Sequence, residues 1–430
     1  MKKTLRRLAL LAASSALALP AAAPAGVVLD WNEIALAQVA AAGQHPTEAS
    51  RTMAMVHGAI FDAVDAVERR YAPYAFDGTA PEGASAEAAA VAAARAVLTG
   101  LFPERRPEIE DAAAGALGRI AAGAGRAPGV ALGEAVGARY LALRADDGCG
   151  APERYRPRTT PGVYVPTTVP VASEWGRVRP WLLEDGAALR PAAPLDLAGE
   201  QWARDYAEIR SVGGRESTQR SAEQTDVARF WTITGPATWN PVIRSLVSSR
   251  PGSLVDDARL FALANLAAAD ALIAVFDAKY AYGFWRPITA IRDGDLDGND
   301  ATEPVAGWSP LVETPMHPEY PCAHCITSAA VGAVLESEFG TGEVPPVVMT
   351  SPGAPGVVRR WTRVGDYVAE VSAARIWGGI HYRFSTEVGA AMGRTIGALA
   401  VTQLMRPVDE AAAEASSPPE ALRLADTARP

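Results

Sequence analysis

Apolar residues recur at steps of three and four along most of this chain, the spacing that gathers them on one face of an α-helix. Residues 52–70 (TMAMVHGAIFDAVDAVERR), 84–102 (ASAEAAAVAAARAVLTGLF) and 129–145 (GVALGEAVGARYLALRA) each carry this period. Ser85 stands where a helix N-cap belongs. Residues 255–282 are apolar nearly all round, interrupted by Asn265, Asp270 and Asp277. A helix without a polar face belongs in a core. Further helices are expected from about His324, Val357 and Thr386, and no segment alternates convincingly with a period of two. The predicted fold class is all-α.

The periodicity lapses in two places. Residues 149–197 are rich in proline with little helical period, which predicts an extended connector over the surface, not a folded domain. Residues 292–315 form a loop rich in Asp, Gly and Pro. The breaks divide the chain into an N-terminal helical region (26–148), the connector (149–197) and a C-terminal helical domain (198–405). An acidic, proline-bearing tail (406–430) is expected to fray. Residues 1–25 stand apart. A basic cluster, an apolar stretch from Leu8 to Leu19 and small residues around Ala23-Pro24-Ala25 read as a secretory signal peptide. That stretch is too short to span a bilayer, and no later apolar run reaches the required length. The expectation is an exported protein, periplasmic or secreted, with no stable membrane anchor.

Composition narrows the partners. The formal net charge is −9, and loss of the leader's four basic residues takes it to about −13. A nucleic-acid partner needs a basic surface and is not expected. Three cysteines make no disulfide framework, although an exported protein could oxidise the Cys322–Cys325 pair. The chain has 37 arginines but three lysines, two of which (Lys2 and Lys3) lie in the leader. The third, Lys279, shares a helix face with Leu272 and Val275. Burying its ammonium without a partner is costly.

Two more cations and two histidines join it. Arg286 precedes Pro287, which pushes its backbone out of the helical region. Pro321 lies where a helix would begin, and free N–H groups at a helix start suit an anion. There Cys322 offers a weak S–H donor, Ala323 a closely approachable backbone and His324 an ionisable nitrogen. Val364, Val368, Val371 and Arg375 fall on one helical face, which aims Arg375 inward. Gly378-Gly379 then breaks the helix and leaves His381 on the loop beyond, with Ser385 placed as N-cap of the next helix. The set suits a tetrahedral or trigonal-bipyramidal oxyanion. A divalent metal would need inward carboxylates instead.

This pattern resembles the superfamily that joins vanadium-dependent haloperoxidases to type 2 phosphatidic acid phosphatases and bacterial acid phosphatases. Its motif runs Lys, six residues, Arg-Pro; then Pro-Ser-Gly-His; then Ser-Arg, five residues, His, three residues, Asp. The blocks here read Lys279 to Arg286-Pro287, Pro321-Cys322-Ala323-His324, and Ala374-Arg375 followed by His381 and Ser385 at the same spacings. Residues 27–36 (VVLDWNEIAL) and 50–64 (SRTMAMVHGAIFDAV) also look like the bacterial haloperoxidase-like branch.

The resemblance implies a helical bundle of the haloperoxidase and acid phosphatase type. It implies vanadate as cofactor, with phosphate able to occupy the same site, and oxidation of halide by hydrogen peroxide. Lys279, Arg286, Cys322, Ala323 and Arg375 would hold the oxyanion, His381 would be the vanadium ligand, and His324 the acid–base partner. His317 matches a position that is aromatic in chloroperoxidases and histidine in bromoperoxidases, which makes it a candidate halide-site residue and favours bromide or iodide. Large helical members often dimerise, so a homodimer is a further expectation.

The same residues would also serve an acid phosphatase that hydrolyses phosphate esters through a phosphohistidine, or an inactive phosphate-binding protein. Two positions depart from the motif. Cys322 replaces a serine. Ser385 replaces an aspartate that would orient His381, and Glu387 is the nearby carboxylate that could substitute. Cys322-Ala323-His324-Cys325 also admits a dithiol redox reading, which lacks its usual βαβ setting. A zinc reading adds His317, with irregular spacing. His57 reads as a packed, hydrogen-bonded histidine, and His45, before Pro46, as a loop residue.

Overall fold

The computed structural model describes residues 26–409; the expected signal peptide (1–25) and most of the expected tail (410–430) lie outside the described residues. Within that range the regular structure is almost entirely helical, as the all-α reading predicts. The first five helices are α1 (Val27–Ala41), α2 (Pro46–Glu68), α3 (Ala86–Leu101), α4 (Arg106–Arg119) and α5 (Arg126–Leu143). A long irregular stretch follows, and then α6 (Glu200–Val212), α7 (Ala222–Phe230), α8 (Asn240–Ser248), α9 (Leu254–Tyr282) and α10 (Pro287–Arg292). The last three are α11 (Ala323–Phe339), α12 (Val364–Trp377) and α13 (Arg383–Gln403). Ser85 caps α3 by accepting the Ala88 N–H.

Helix α9 is the axis of the fold. Helix α2 packs on it from the N-terminal half, and α11 and α13 from the C-terminal half, so one apolar core runs through both. Its polar interruptions are clamps. Asp270 accepts the N–H groups of Trp181, Leu182 and Leu183 at 2.7, 2.8 and 2.9 Å, tying the irregular stretch to the core. Asn265 bonds Asn240 and Trp239. Asp277 pairs with Arg190 at 2.8 Å. His57 is a packed core histidine: its Nε2 lies 2.8 Å from Asn32 Nδ2 and its ring stacks on Phe261.

Helices α11 and α13 approach closely because Gly389, Gly393 and Gly397 recur every four residues along one face of α13. A Cβ on Gly393 would lie 2.2 Å from the Ile326 carbonyl oxygen, and one on Gly397 would lie 2.3 Å from that of Ala330. Gly393→Ala should therefore force the helices apart, costing about 1–3 kcal/mol. The expected result is a melting temperature a few degrees lower by circular dichroism; an unchanged value would show that the pair can separate freely.

Three local expectations need correction. A two-stranded antiparallel sheet, β1 (Val347–Thr350) with β2 (Val358–Trp361), was not legible because strands of four residues are too short to show a period of two. The helix expected from Val357 starts instead at Val364, after β2. Helix α13 starts at Arg383, so Ser385 sits inside its first turn and is not the N-cap. The cap residue is Tyr382, whose side chain makes no capping bond, and Asp205 accepts the Phe384 N–H at 2.7 Å.

Candidate active site

Five element ends converge on one loop. Lys279 lies in the last turn of α9, which Gly283 ends in a left-handed conformation at φ 60°. Arg286 precedes α10, His324 is in the first turn of α11, Arg375 is in the last turn of α12, and His381 lies just before α13. The loop between α10 and α11 brings in His317 and Glu319.

Lys279, Arg286 and Arg375 are all buried, which excludes a snorkelling, solvated role for them. The Lys279 ammonium donates to the carbonyls of Pro318 and Glu319 at 2.9 and 2.8 Å. Two of its three hydrogens are thus used. Arg286 donates from Nε to the His317 carbonyl (2.9 Å), from Nη1 to that of Ile380 (2.8 Å), and from Nη2 to His317 Nδ1 (2.9 Å). Arg375 donates from Nη1 to the Trp231 carbonyl, while its Nε is buried without a partner. Burial pushes the Lys279 ammonium well below its ordinary value; Arg286 and Arg375 add to this and Glu319 opposes it. Burial likewise lowers Arg286 to about 10 and, with Arg286 beside it, Arg375 to about 9. Three cations against the one carboxylate of Glu319 leave positive charge that a bound anion would offset.

The carboxylate missing from the motif position comes from another segment. Glu319 is fully buried, and its Oε1 accepts from His381 Nδ1 at 2.8 Å and from the Tyr382 N–H at 3.1 Å. Glu387 is exposed and does not take this place. The Ser385 hydroxyl lies near enough to Glu319 to favour its charged form, yet neither it nor Oε2 makes a hydrogen bond of ordinary geometry. Burial raises the Glu319 carboxyl to about 7, opposed by Lys279 and Arg286. Sequence reasoning passed over Glu319. The available clue was that it is the sole carboxylate between Glu313 and Glu336.

The hydrogen-bond partners fix each tautomer. A carboxylate accepts, so His381 carries its proton on Nδ1 and keeps a lone pair on Nε2, which lies 3.3 Å from Arg286 Nη1. A carbonyl accepts, so His324 carries its proton on Nε2, 2.9 Å from the Ile233 oxygen, and its Nδ1 is free to take one. His317 Nδ1 lies 2.9 Å from Arg286 Nη2, which can only donate, and 3.1 Å from the Pro318 carbonyl, which can only accept; the shorter, charge-assisted contact makes Nδ1 the acceptor and puts the proton on Nε2. Burial holds all three neutral: His324 falls to about 3, and His317 and His381 lie well below their ordinary range.

Cys322 requires correction. It forms a disulfide with Cys325 and accepts the Cys325 N–H at 3.3 Å, so it has no S–H to donate. The paired sulfurs also withdraw both thiolates from the zinc reading. Ala323 opens α11, where first-turn N–H groups have no helical carbonyl before them and suit an oxyanion.

A cavity of about 680 Å³ fronts the site. His317, Ala323, His324, Arg375 and His381 line it, while Lys279 and Arg286 stand behind. His45 also lines it and is more than a loop residue: its ring accepts the Thr47 N–H at the start of α2. The structure thus brings Lys279, Arg286, His317, Ala323, His324, Arg375 and His381 around one place, without a thiol donor from Cys322, and the donor set fits an oxyanion. The orphaned Arg375 Nε lacks an acceptor, and the His381 Nε2 lone pair suits a metal centre within that anion.

Residues 259–410 match the family model of the VCPO second helical-bundle domain. The vanadium chloroperoxidase of Curvularia inaequalis is 29% identical over 146 residues, covering 28% of this chain and 24% of that protein, so the match spans about a quarter of the relative's length. The first bacterial vanadium-dependent iodoperoxidase to be solved superposes with a TM-score of 0.75 at 24% identity, covering 88% of this chain and 96% of that one. An apo-type bacterial vanadium-dependent chloroperoxidase gives 0.67 at 17% identity, covering 83% and 92%. Residues 259–410 are thus similar to the second helical-bundle domain of the vanadium chloroperoxidases, and the chain shares its fold with the solved vanadium-dependent haloperoxidases.

Proposed function

We propose that this chain is a vanadate-dependent haloperoxidase that oxidises bromide or iodide with hydrogen peroxide. The observation that carries the reading is the buried Glu319–His381 pair beside three cations, which turns the His381 Nε2 lone pair toward the cations, 3.3 Å from Arg286 Nη1, and leaves one Arg375 donor unmatched. When bound, vanadate supplies a Lewis-acidic centre that polarises peroxide. Lys279, Arg286, Arg375 and the Ala323 N–H hold the oxyanion's negative charge. His381 Nε2 is the metal ligand, and Glu319 keeps its ring aimed by holding Nδ1–H. His324 Nδ1 takes a proton from incoming peroxide. His317 offers its Nε2–H to halide beside the Phe276 ring, whose centroid is 5.1 Å from its own. Bromide and iodide are favoured by that histidine and by the likeness to a solved iodoperoxidase. Export fits the Cys322–Cys325 disulfide, a bond of oxidising compartments.

The test sets bromination of monochlorodimedone, with peroxide and vanadate, beside hydrolysis of nitrophenyl phosphate by the same preparation. The expected result is one vanadium per chain, bromination that requires both additions, and little hydrolysis. Hydrolysis without bromination would establish a phosphatase. Phosphate binding with neither activity would leave an anion-binding protein.

A further inference from the structure

We infer that the cavity in front of the oxyanion site binds a neutral, apolar, electron-rich aromatic acceptor of phenol type, which is halogenated where it is held. This rests on the haloperoxidase reading above and names the substrate class of that site. Peroxide and halide need little room, since a water's share of liquid volume is about 30 Å³. The cavity offers about 680 Å³, within the roughly 300–1,000 Å³ that holds drug-sized organic molecules. Its walls are mainly apolar: Leu272 and Phe276 from α9, Trp239, Val312 and Met316. The hydroxyls of Thr232, Thr238 and Thr327 are already given to the carbonyls of Arg229, Gly235 and Ala323. Thr234 is exposed to solvent, whereas the Thr314 hydroxyl lines the cavity and is buried without a partner. A buried hydroxyl left unpaired is costly, and a phenolic OH would satisfy it. Arg375 is the sole cation in the lining and belongs to the oxyanion, so an anionic acceptor has no second counter-ion, and Glu313, the one carboxylate in the lining, is exposed and hydrated.

The chemistry balances without another co-reactant. The aromatic carbon gives an electron pair to halogen oxidised by peroxide, forms the C–X bond and releases its proton. The net change is R–H + X⁻ + H₂O₂ + H⁺ → R–X + 2 H₂O, in which halide is oxidised and peroxide reduced.

The experiment is calorimetric titration of 4-phenylphenol into wild-type protein and into Met316→Trp and Val312→Trp, each of which adds bulk to the cavity from the 311–317 segment. Melting temperatures report folding of the variants. Saturable 1:1 binding is expected in the wild type, at least 10-fold weaker in both variants. In competition under turnover, the wild type should brominate 4-phenylphenol over monochlorodimedone in a higher ratio than reagent hypobromous acid does, and both variants should return to the reagent ratio. Bromination of monochlorodimedone with no saturable phenol binding, or with equal binding in all three folded proteins, overturns this inference and keeps the haloperoxidase reading. Cavity-dependent phenol binding without any bromination overturns the haloperoxidase reading and leaves the ligand class standing.

Discussion

Glu319→Gln should lower peroxide-dependent bromide oxidation by roughly 10- to 100-fold, the usual effect of removing the partner that orients a metal-binding histidine. Glutamine keeps the length of the side chain, and its amide oxygen can still accept from His381 Nδ1. What it loses is the charge that makes the imidazole a better donor through Nε2. The pH profile separates this from a packing defect. Burial raises the Glu319 carboxyl to about 7. Above that pH it is a carboxylate and supports His381; as pH falls through it, the group takes a proton and the support weakens. Wild-type activity should therefore decline on the acid side near neutrality. A bound anion would raise the carboxyl further and move the decline upward. In Glu319→Gln that limb should vanish, leaving low activity that does not change there. Full activity with the limb intact would show that the carboxylate does not orient His381.

Arg375→Met should weaken orthovanadate binding about 100-fold or more, since removing one partner from a buried charge pair costs roughly 2–5 kcal/mol. The same change should leave the melting temperature of the empty protein unchanged or higher. Arg375 is 4% exposed, bonds a protein group through Nη1 only, and is held down to about 9 by burial and by Arg286. Replacing an uncompensated buried charge with an apolar side chain of similar length removes its desolvation penalty. Against that stands the Trp231 carbonyl, which loses a donor at about 1–3 kcal/mol. A saturating ligand adds about 2.7 kcal/mol of stability at 100 times its dissociation constant. Orthovanadate should therefore raise the melting temperature of the wild type and leave the variant's in place. An equal shift in both proteins would remove Arg375 from the oxyanion site.

The legible parts of this protein share a cause. A buried cation on an apolar helix face is so costly that Lys279 and Arg375 announce a partner from local spacing alone. A helix with no polar face, such as α9, announces its own burial. The illegible parts depend on where distant segments meet. Glu319 is 62 residues from His381, and nothing in local periodicity joins them. The same holds for His45, which reaches the cavity from the N-terminal half. The register of α13 escaped because Ser385 looks like a cap, whereas carboxylates from Glu319 and Asp205 meet the first N–H groups of that helix. The disulfide was only one of several readings of its tetrapeptide, and coordinates were needed to choose.

Helix α9 has a further consequence. The stretch that matches the family model begins at residue 259, inside α9, and excludes α2. Yet α2 covers one flank of that helix, with His57 stacked 5.0 Å from Phe261. A boundary drawn at 259 is thus a cut through shared interior, not a seam between modules. The N-terminal third acts as the missing wall of the C-terminal half, and Lys279 stands at the end of a beam whose flanks are covered from both sides.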